Sequence, residues 1–108
     1  MKPGTVVTVD FRGATGTKRR PAVIVSTPTY HTERPDVILA VVTSQTAKAS
    51  AASDYVLRDW ALANLAKPSA VRIFLNTSLA ASVQYIGELS DHDWTQVQAR
   101  LKLAIAFE

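Results

Sequence analysis

Hydrophobic and polar positions alternate from the first residues onward. Across residues 5–11, Val7, Val9 and Phe11 fall on one face and Thr8 and Asp10 on the other, the period-two pattern of a half-buried strand. Residues 12–19 hold Gly13 and Gly16 among basic side chains and are expected to form a cationic loop. Residues 21–26 and 37–43 are β-branched runs too short for typical helices, which predicts central strands. Pro21 fits the first residue of its strand, where a missing N–H matters least. The two prolines of residues 27–36, Pro28 and Pro35, predict a loop, and the small polar residues 44–53 a mobile one. A short strand is expected at 55–57 and a helical turn at 60–65, with Asn64 suited to a left-handed cap.

Alternation returns at 70–75, with Val71, Ile73 and Leu75 on one face and Arg72 and Phe74 on the other. It returns again at 83–89, where Tyr85 lies beside Val83 and Leu89. The period then changes. Trp94, Val97, Leu101 and Ile105 recur at helical spacing, so one helix face is expected to pack on the sheet. Ser90 is placed to cap that helix, Asp91 and Asp93 to complement the dipole of its first turn, and Leu89 and Trp94 to close a hydrophobic staple. Strands first and one helix last predict a mostly β (α+β) chain: a small, strongly curved antiparallel sheet or barrel closed by a C-terminal helix. Neither an internal repeat nor a linker divides the sequence, so one domain over residues 1–108 is expected.

Composition narrows the function classes. At 47% hydrophobic, the 108 residues are of ordinary globular character. The absence of cysteine excludes disulfides and thiolate metal sites. The apolar runs fall far short of the ~20 residues needed to cross a bilayer, so a soluble, cytoplasmic protein is expected. Net charge is only +3, but it is unevenly spread. Lys2, Arg12, Lys18, Arg19, Arg20 and Arg34 face only Asp10 and Glu33 within residues 1–35, whereas the remainder is balanced. Such an end is either a cationic surface for phosphates or a solvated, solubilising one.

Five ordered segments change the picture: Gly4-Thr-Val-Val-Thr-Val-Asp10-Phe11, Arg19-Arg20-Pro21-Ala22-Val23-Ile24-Val25-Ser26, Val41-Val42-Thr43-Ser44-Gln45, Leu65-Ala66-Lys67-Pro68-Ser69-Ala70-Val71-Arg72, and Ile86-Gly87-Glu88-Leu89-Ser90. Together the chain resembles the MazF/PemK/Kid family of toxins over nearly its whole length. The resemblance implies an SH3-like barrel with helices and a homodimer acting as a sequence-selective endoribonuclease. It also implies single-stranded RNA as substrate, no metal or other cofactor, and neutralisation by a cognate antitoxin.

RNA cleavage without metal can use the substrate's own 2′-hydroxyl as nucleophile, which leaves the protein to align it, stabilise the phosphorane and manage two protons. A guanidinium fork suits the second task. Arg20 matches the family's catalytic arginine before the proline of the second strand; the alternative is an exposed strand-flanking arginine. Thr43 matches the family's active-site Thr or Ser, its hydroxyl either meeting a phosphate oxygen or turning the chain. Lys18, Arg19, Ser44, Gln45, Lys67 and Arg72 are candidate RNA contacts, with Lys48 read as a solvated lysine by default.

Some relatives, Kid among them, pair Arg-x-Asp in the strand of Arg72 and carry a histidine in the loop after the first strand. Here Arg72-Ile73 is followed by Phe74, read as core in preference to a base-stacking aromatic, and residues 12–19 contain no histidine. The general base is left open: Asp10 reads better as a partner of Lys18 or Arg19, His31 as a surface histidine and His92 as structural. The Walker spacing is absent from residues 13–18, and Asp91-His92-Asp93 reads as helix capping, not metal binding. Trp60 and Trp94 read as core or interface aromatics. Two further classes stand beside the ribonuclease: a non-catalytic toxin of the same fold, similar to CcdB-like gyrase poisons, and a nucleic-acid-binding barrel that does not cut.

Overall fold

The computed structural model describes residues 1–14 and 16–107. Its elements follow in the order β1 (Thr5–Gly13), β2 (Gly16–Ile24), α1 (Pro28–Glu33), β3 (Asp36–Thr43), β4 (Tyr55–Val56), β5 (Ala70–Leu79), β6 (Gln84–Glu88) and α2 (Asp91–Ala104). The strands make one six-stranded antiparallel sheet, ordered β4-β5-β3-β2-β1-β6. Register shifts at Val6/Val7 against β6 and at Ala40/Val41 against β5 are irregularities of the kind that bend and twist a sheet. The curled, mostly β sheet with a C-terminal helix is the architecture the pattern predicts.

Adjacent valines and small residues in β1, β2 and β3 serve opposite faces. Val6, Val23, Ala40 and Val42 join Leu57, Ala63, Leu89 and Val97 of α2 in one core. Val7, Val9, Ala22, Ile24, Val37 and Leu39 form a second core on the other face, with Phe11 and Val83 against it. The start of β1 is therefore buried on both sides, not half-buried. Each such fully buried Val, Leu or Ile contributes about 1.5–3 kcal/mol relative to exposure, so both faces anchor the central strands.

Helix α2 begins as expected. Ser90 Oγ accepts from the Asp93 N–H at 3.1 Å, and Leu89 and Trp94 both pack with the first core. Ile105 departs from its predicted packing role: α2 ends at Ala104, leaving Ile105 as an extended, exposed cap residue. Asp93 also does more than complement a dipole. It is fully buried, and its carboxylate accepts from Tyr55 Oη at 2.7 Å, Arg58 N at 3.1 Å and Asp59 N at 2.8 Å. One carboxylate thus ties the 55–59 segment to the helix.

Three further expectations change. Residues 12–19 are not a loop. β1 and β2 pair in register up to Gly13–Gly16, so Phe11 lies opposite Lys18 and Asp10 opposite Arg19; Thr15 lies outside the described residues. Backbone pairing satisfies the polar groups that a loop would leave to water. Pro21 is consequently internal to β2. It is tolerated because β3 pairs only with Ala22–Ile24, which leaves one side of the strand unpaired at the proline. Residues 27–36 contain a helix: Thr27 Oγ1 accepts from Tyr30 N, and Pro28, with no N–H to lose, opens α1.

The 60–65 turn forms as expected, with Asn64 at φ 62°. Its side chain donates to Ile86 O at 3.1 Å, docking the turn on β6. Glycine is required there, because a Cβ on Gly87 would lie 2.6 Å from Ala63 O.

Candidate active site

Arg20 is exposed on β2 opposite Val9, two positions before β3 joins the strand. Ala22 pairs with Val41, and Val41 in turn with Arg72 of β5. Strand alternation therefore turns Arg20 and Arg72 to the same face, where both line a cleft of ≈ 580 Å³ together with Phe11, Val41, Asp54 and Phe74. Among the described residues no carboxylate pairs with Arg20. Arg72 does have one: its Nε donates to Asp54 Oδ1 at 3.4 Å.

A second cleft, of ≈ 220 Å³, lies against Arg20 and Pro21 and is lined also by Ser44, Leu65 and Lys67. The Lys67–Ser69 turn is held by Ser69 Oγ donating to Lys67 O at 2.8 Å. Arg20 is thus shared by two depressions, one holding Arg72 and the other Ser44 and Lys67. Three cations, Arg20 with Arg72 and Lys67 on either side of it, can hold successive phosphates of a backbone.

The remaining candidates are not gathered so closely. Thr43, half-buried at the end of β3, lines neither cleft, and its Oγ1 accepts from Gln45 N at 3.1 Å. That bond turns the chain, yet the hydroxyl hydrogen stays available to an acceptor. Gln45 is exposed beyond it and lines neither cleft. Arg19 points to the other face of β2 and is engaged by Asp10 at 3.0 Å, the pairing expected for that aspartate. Lys18 stands opposite Phe11, which lines the larger cleft, and itself lines neither. Lys48 is exposed at the end of a 3₁₀ turn, Thr46–Lys48.

Two residues come out differently from the sequence reading. Phe74 is not core: it is 68% exposed and lines the larger cleft. The cause is the β3–β5 irregularity, in which Ala40 pairs with Leu75 and the next residue, Val41, with Arg72, so Ile73 and Phe74 lie outside the register. Leu75, paired with Ala40, is exposed as well. His31 is half-buried, its Nε2 hydrogen-bonded to the Ser26 hydroxyl that also accepts from Ile38 N. It secures α1 to β3 and lines neither cleft.

Asp54 is the residue the sequence reading missed. It lies in the stretch between the small-residue segment and β4, and its signal is visible only through pairing. Tyr55 pairs with Val71, so the residue before it comes beside Arg72. The turn that carries Asp54 is pinned by Arg100 of α2, which donates to Ala52 O at 2.9 Å and Asp54 O at 3.2 Å.

The resolved proton-affinity shifts lie away from both clefts. Burial, then the bond to Asp93, pushes the Tyr55 phenol up to about 12. The Arg58 guanidinium and then the Ser90 hydroxyl hold the Asp59 carboxyl below its ordinary range, and the Tyr30 hydroxyl does the same for Asp36.

Solved structures share this architecture. An endoribonuclease in complex with its cognate antitoxin, from Mycobacterial species, aligns with a TM-score of 0.77 at 16% identity, covering 100% of this chain and 99% of that one. A MazE–MazF structure from Deinococcus radiodurans aligns at 0.75 and 18% identity, covering 98% of each chain. MazF alone from the same organism aligns at 0.72 and 18%, covering 96% of this chain and 94% of that one. At such identities the likeness is one of fold. Among curated proteins, none matches the chain. The family itself is established at the level of sequence: the pattern of the PemK-like, MazF-like toxins of type II toxin–antitoxin systems matches residues 2–105, and the chain belongs to that family.

Proposed function

We propose that this toxin is a metal-independent endoribonuclease that cuts single-stranded RNA by attack of the substrate's 2′-hydroxyl on the adjacent phosphorus. The observation that carries the reading is Arg20, an exposed guanidinium with no carboxylate partner among the described residues, standing between two clefts that also hold Arg72 and Lys67. A cation left unpaired on a rigid strand is held ready for an anion and needs no reorganisation as charge builds on the phosphorane. In this reading Arg20 grips the non-bridging oxygens with its planar fork, and Thr43 donates its hydroxyl hydrogen to the same phosphate. Lys18, Ser44, Gln45, Lys67 and Arg72 contact the backbone on either side, and Arg19, already bridged to Asp10, contributes least. Phe74, exposed at the cleft wall, supplies a face on which a base can stack.

The chain acts in the cytoplasm as one domain, pairs with a second copy, and is neutralised by a cognate antitoxin. The family and the antitoxin-bound relative of like fold support that partner. Exposed Leu75 and Leu79 on β5 support a protein-covered face.

The test is incubation of the purified protein with a long, weakly structured RNA in EDTA, beside Arg20→Ala. Discrete fragments ending in 2′,3′-cyclic phosphate, lost in the variant, are expected. Intact RNA after exposure to well-folded protein would sink the reading and favour a toxin that acts on a protein.

A further inference from the structure

Arg72 stands in a strand that offers it no carboxylate, since the residues after it are Ile73 and Phe74. The pairing of β4 with β5 supplies one from elsewhere: Asp54 precedes Tyr55, the partner of Val71. Its side chain is only 4% exposed, against 44% for Arg72. A carboxylate so far from water must keep its donors, and two are present: Ala51 N–H to Oδ2 at 3.1 Å and Arg72 Nε–H to Oδ1 at 3.4 Å. The pair differs in kind from Arg19–Asp10, where the aspartate is 59% exposed and either partner can turn to solvent at little cost. Because the bond uses Nε, both terminal nitrogens of Arg72 remain for the cleft.

Taking the cleft as an RNA site, as above, we propose that Asp54 is a positioning residue. Its buried carboxylate holds Arg72 by the Nε edge so that the Nη edge meets the phosphodiester gripped by Arg20. The ion pair has a second consequence. Asp54 offsets the charge of Arg72, so Arg20 carries the net positive charge against the substrate while Arg72 contributes direction. Removing the carboxylate therefore frees a cation to bind RNA in unproductive poses. Turnover and KM should therefore fall together, whereas simple loss of folded enzyme lowers apparent turnover at unchanged KM.

The experiment measures kcat and KM for RNA cleavage in wild type, Asp54→Asn, Arg72→Ala and the double variant, with melting temperatures alongside. Asparagine keeps an acceptor for Ala51 N–H but turns its NH2 toward Arg72 Nε, so both the charge and the hydrogen bond to Arg72 are lost. We expect Asp54→Asn to lower kcat about tenfold with KM lowered as well, and to add nothing to Arg72→Ala. Unchanged kcat, or a loss that adds in full to that of Arg72→Ala, overturns the proposal. Arg72→Lys leaves Asp54 and its turn in place but lacks the fork. It should lose kcat to a similar extent, and full activity in it overturns the proposal whatever Asp54→Asn does to folding. An inactive wild type would instead refute the ribonuclease reading. The positioning claim is then decided by the affinity for a 2′-O-methyl oligoribonucleotide. A change on Asp54→Asn that vanishes in the Arg72→Ala background supports it, and no change overturns it.

Discussion

Asp93 and Arg20 are opposite solutions to placing a charge in a small protein. Asp93 is fully buried and accepts three hydrogen bonds from Tyr55, Arg58 and Asp59. Arg20 is exposed and pairs with no carboxylate among the described residues. The first charge is spent on the fold, because a buried anion survives only when its lone pairs are satisfied. The second stays available, and a rigid strand keeps it in place. Arg72 stands between them, exposed at its head yet tied to a buried aspartate. The lesson is that hydrogen-bond saturation, more than residue type, separates the charges that hold this molecule together from those left for a ligand.

The sharpest way to break the comparison is Arg20→Ala. Loss of RNA cleavage by about a thousandfold, equivalent to roughly 4 kcal/mol, is expected with the melting temperature unchanged. Arg20→Lys should recover little of it, because lysine keeps the charge and loses the fork. Asp93→Ala is the mirror experiment. It strands three donors and should lower unfolding free energy in urea by about 3 kcal/mol. Stability close to wild type would show that water replaces the carboxylate easily, and the contrast would fail.

Thr43→Val comes next. An expected loss of about tenfold in kcat would place its hydroxyl on the phosphate even though it lines neither cleft. Undiminished cleavage would reduce Thr43 to the turn it makes with Gln45.

The smallest effect sharpens the buried side. Tyr55 is held protonated up to about 12, above its ordinary value of 10.0. A raised pKa in the folded state stabilises below the unfolded value, so this contribution is present below pH 10 and declines as pH rises from 10 toward 12. Tyr55→Phe should lose about 1 kcal/mol at neutral pH and flatten the alkaline decline measured by unfolding across that range. A decline as steep as wild type would assign it to other groups. At the acid end the depressed Asp36 and Asp59 carboxyls act with the opposite sign. Their contribution is present above the ordinary 3.8 and disappears as pH falls through their lower folded values.

Local chemistry made much of this molecule legible in advance. The Ser90 cap, the Leu89–Trp94 staple and the left-handed Asn64 depend on residues within a few positions of one another, so the chain alone determined them. The short β-branched runs likewise became β2 and β3, and the ordered segments pointed to the family that residues 2–105 match. The misreadings have nonlocal causes. Residues 12–19 read as a loop from their glycines, which show nothing of cross-strand partners, and Phe74 as core from its residue type, although alternation sets it on the face of Arg72. Asp54 gave no signal, since nothing near it in sequence needs a carboxylate. Its partner lies eighteen residues away and meets it only when β4 pairs with β5. The sequence by itself determined the central strands, the capped C-terminal helix and the arginine before the proline. Only the tertiary structure decided which charges were buried, which were paired and which faced the clefts, because burial and pairing belong to neighbours that the chain brings together by folding.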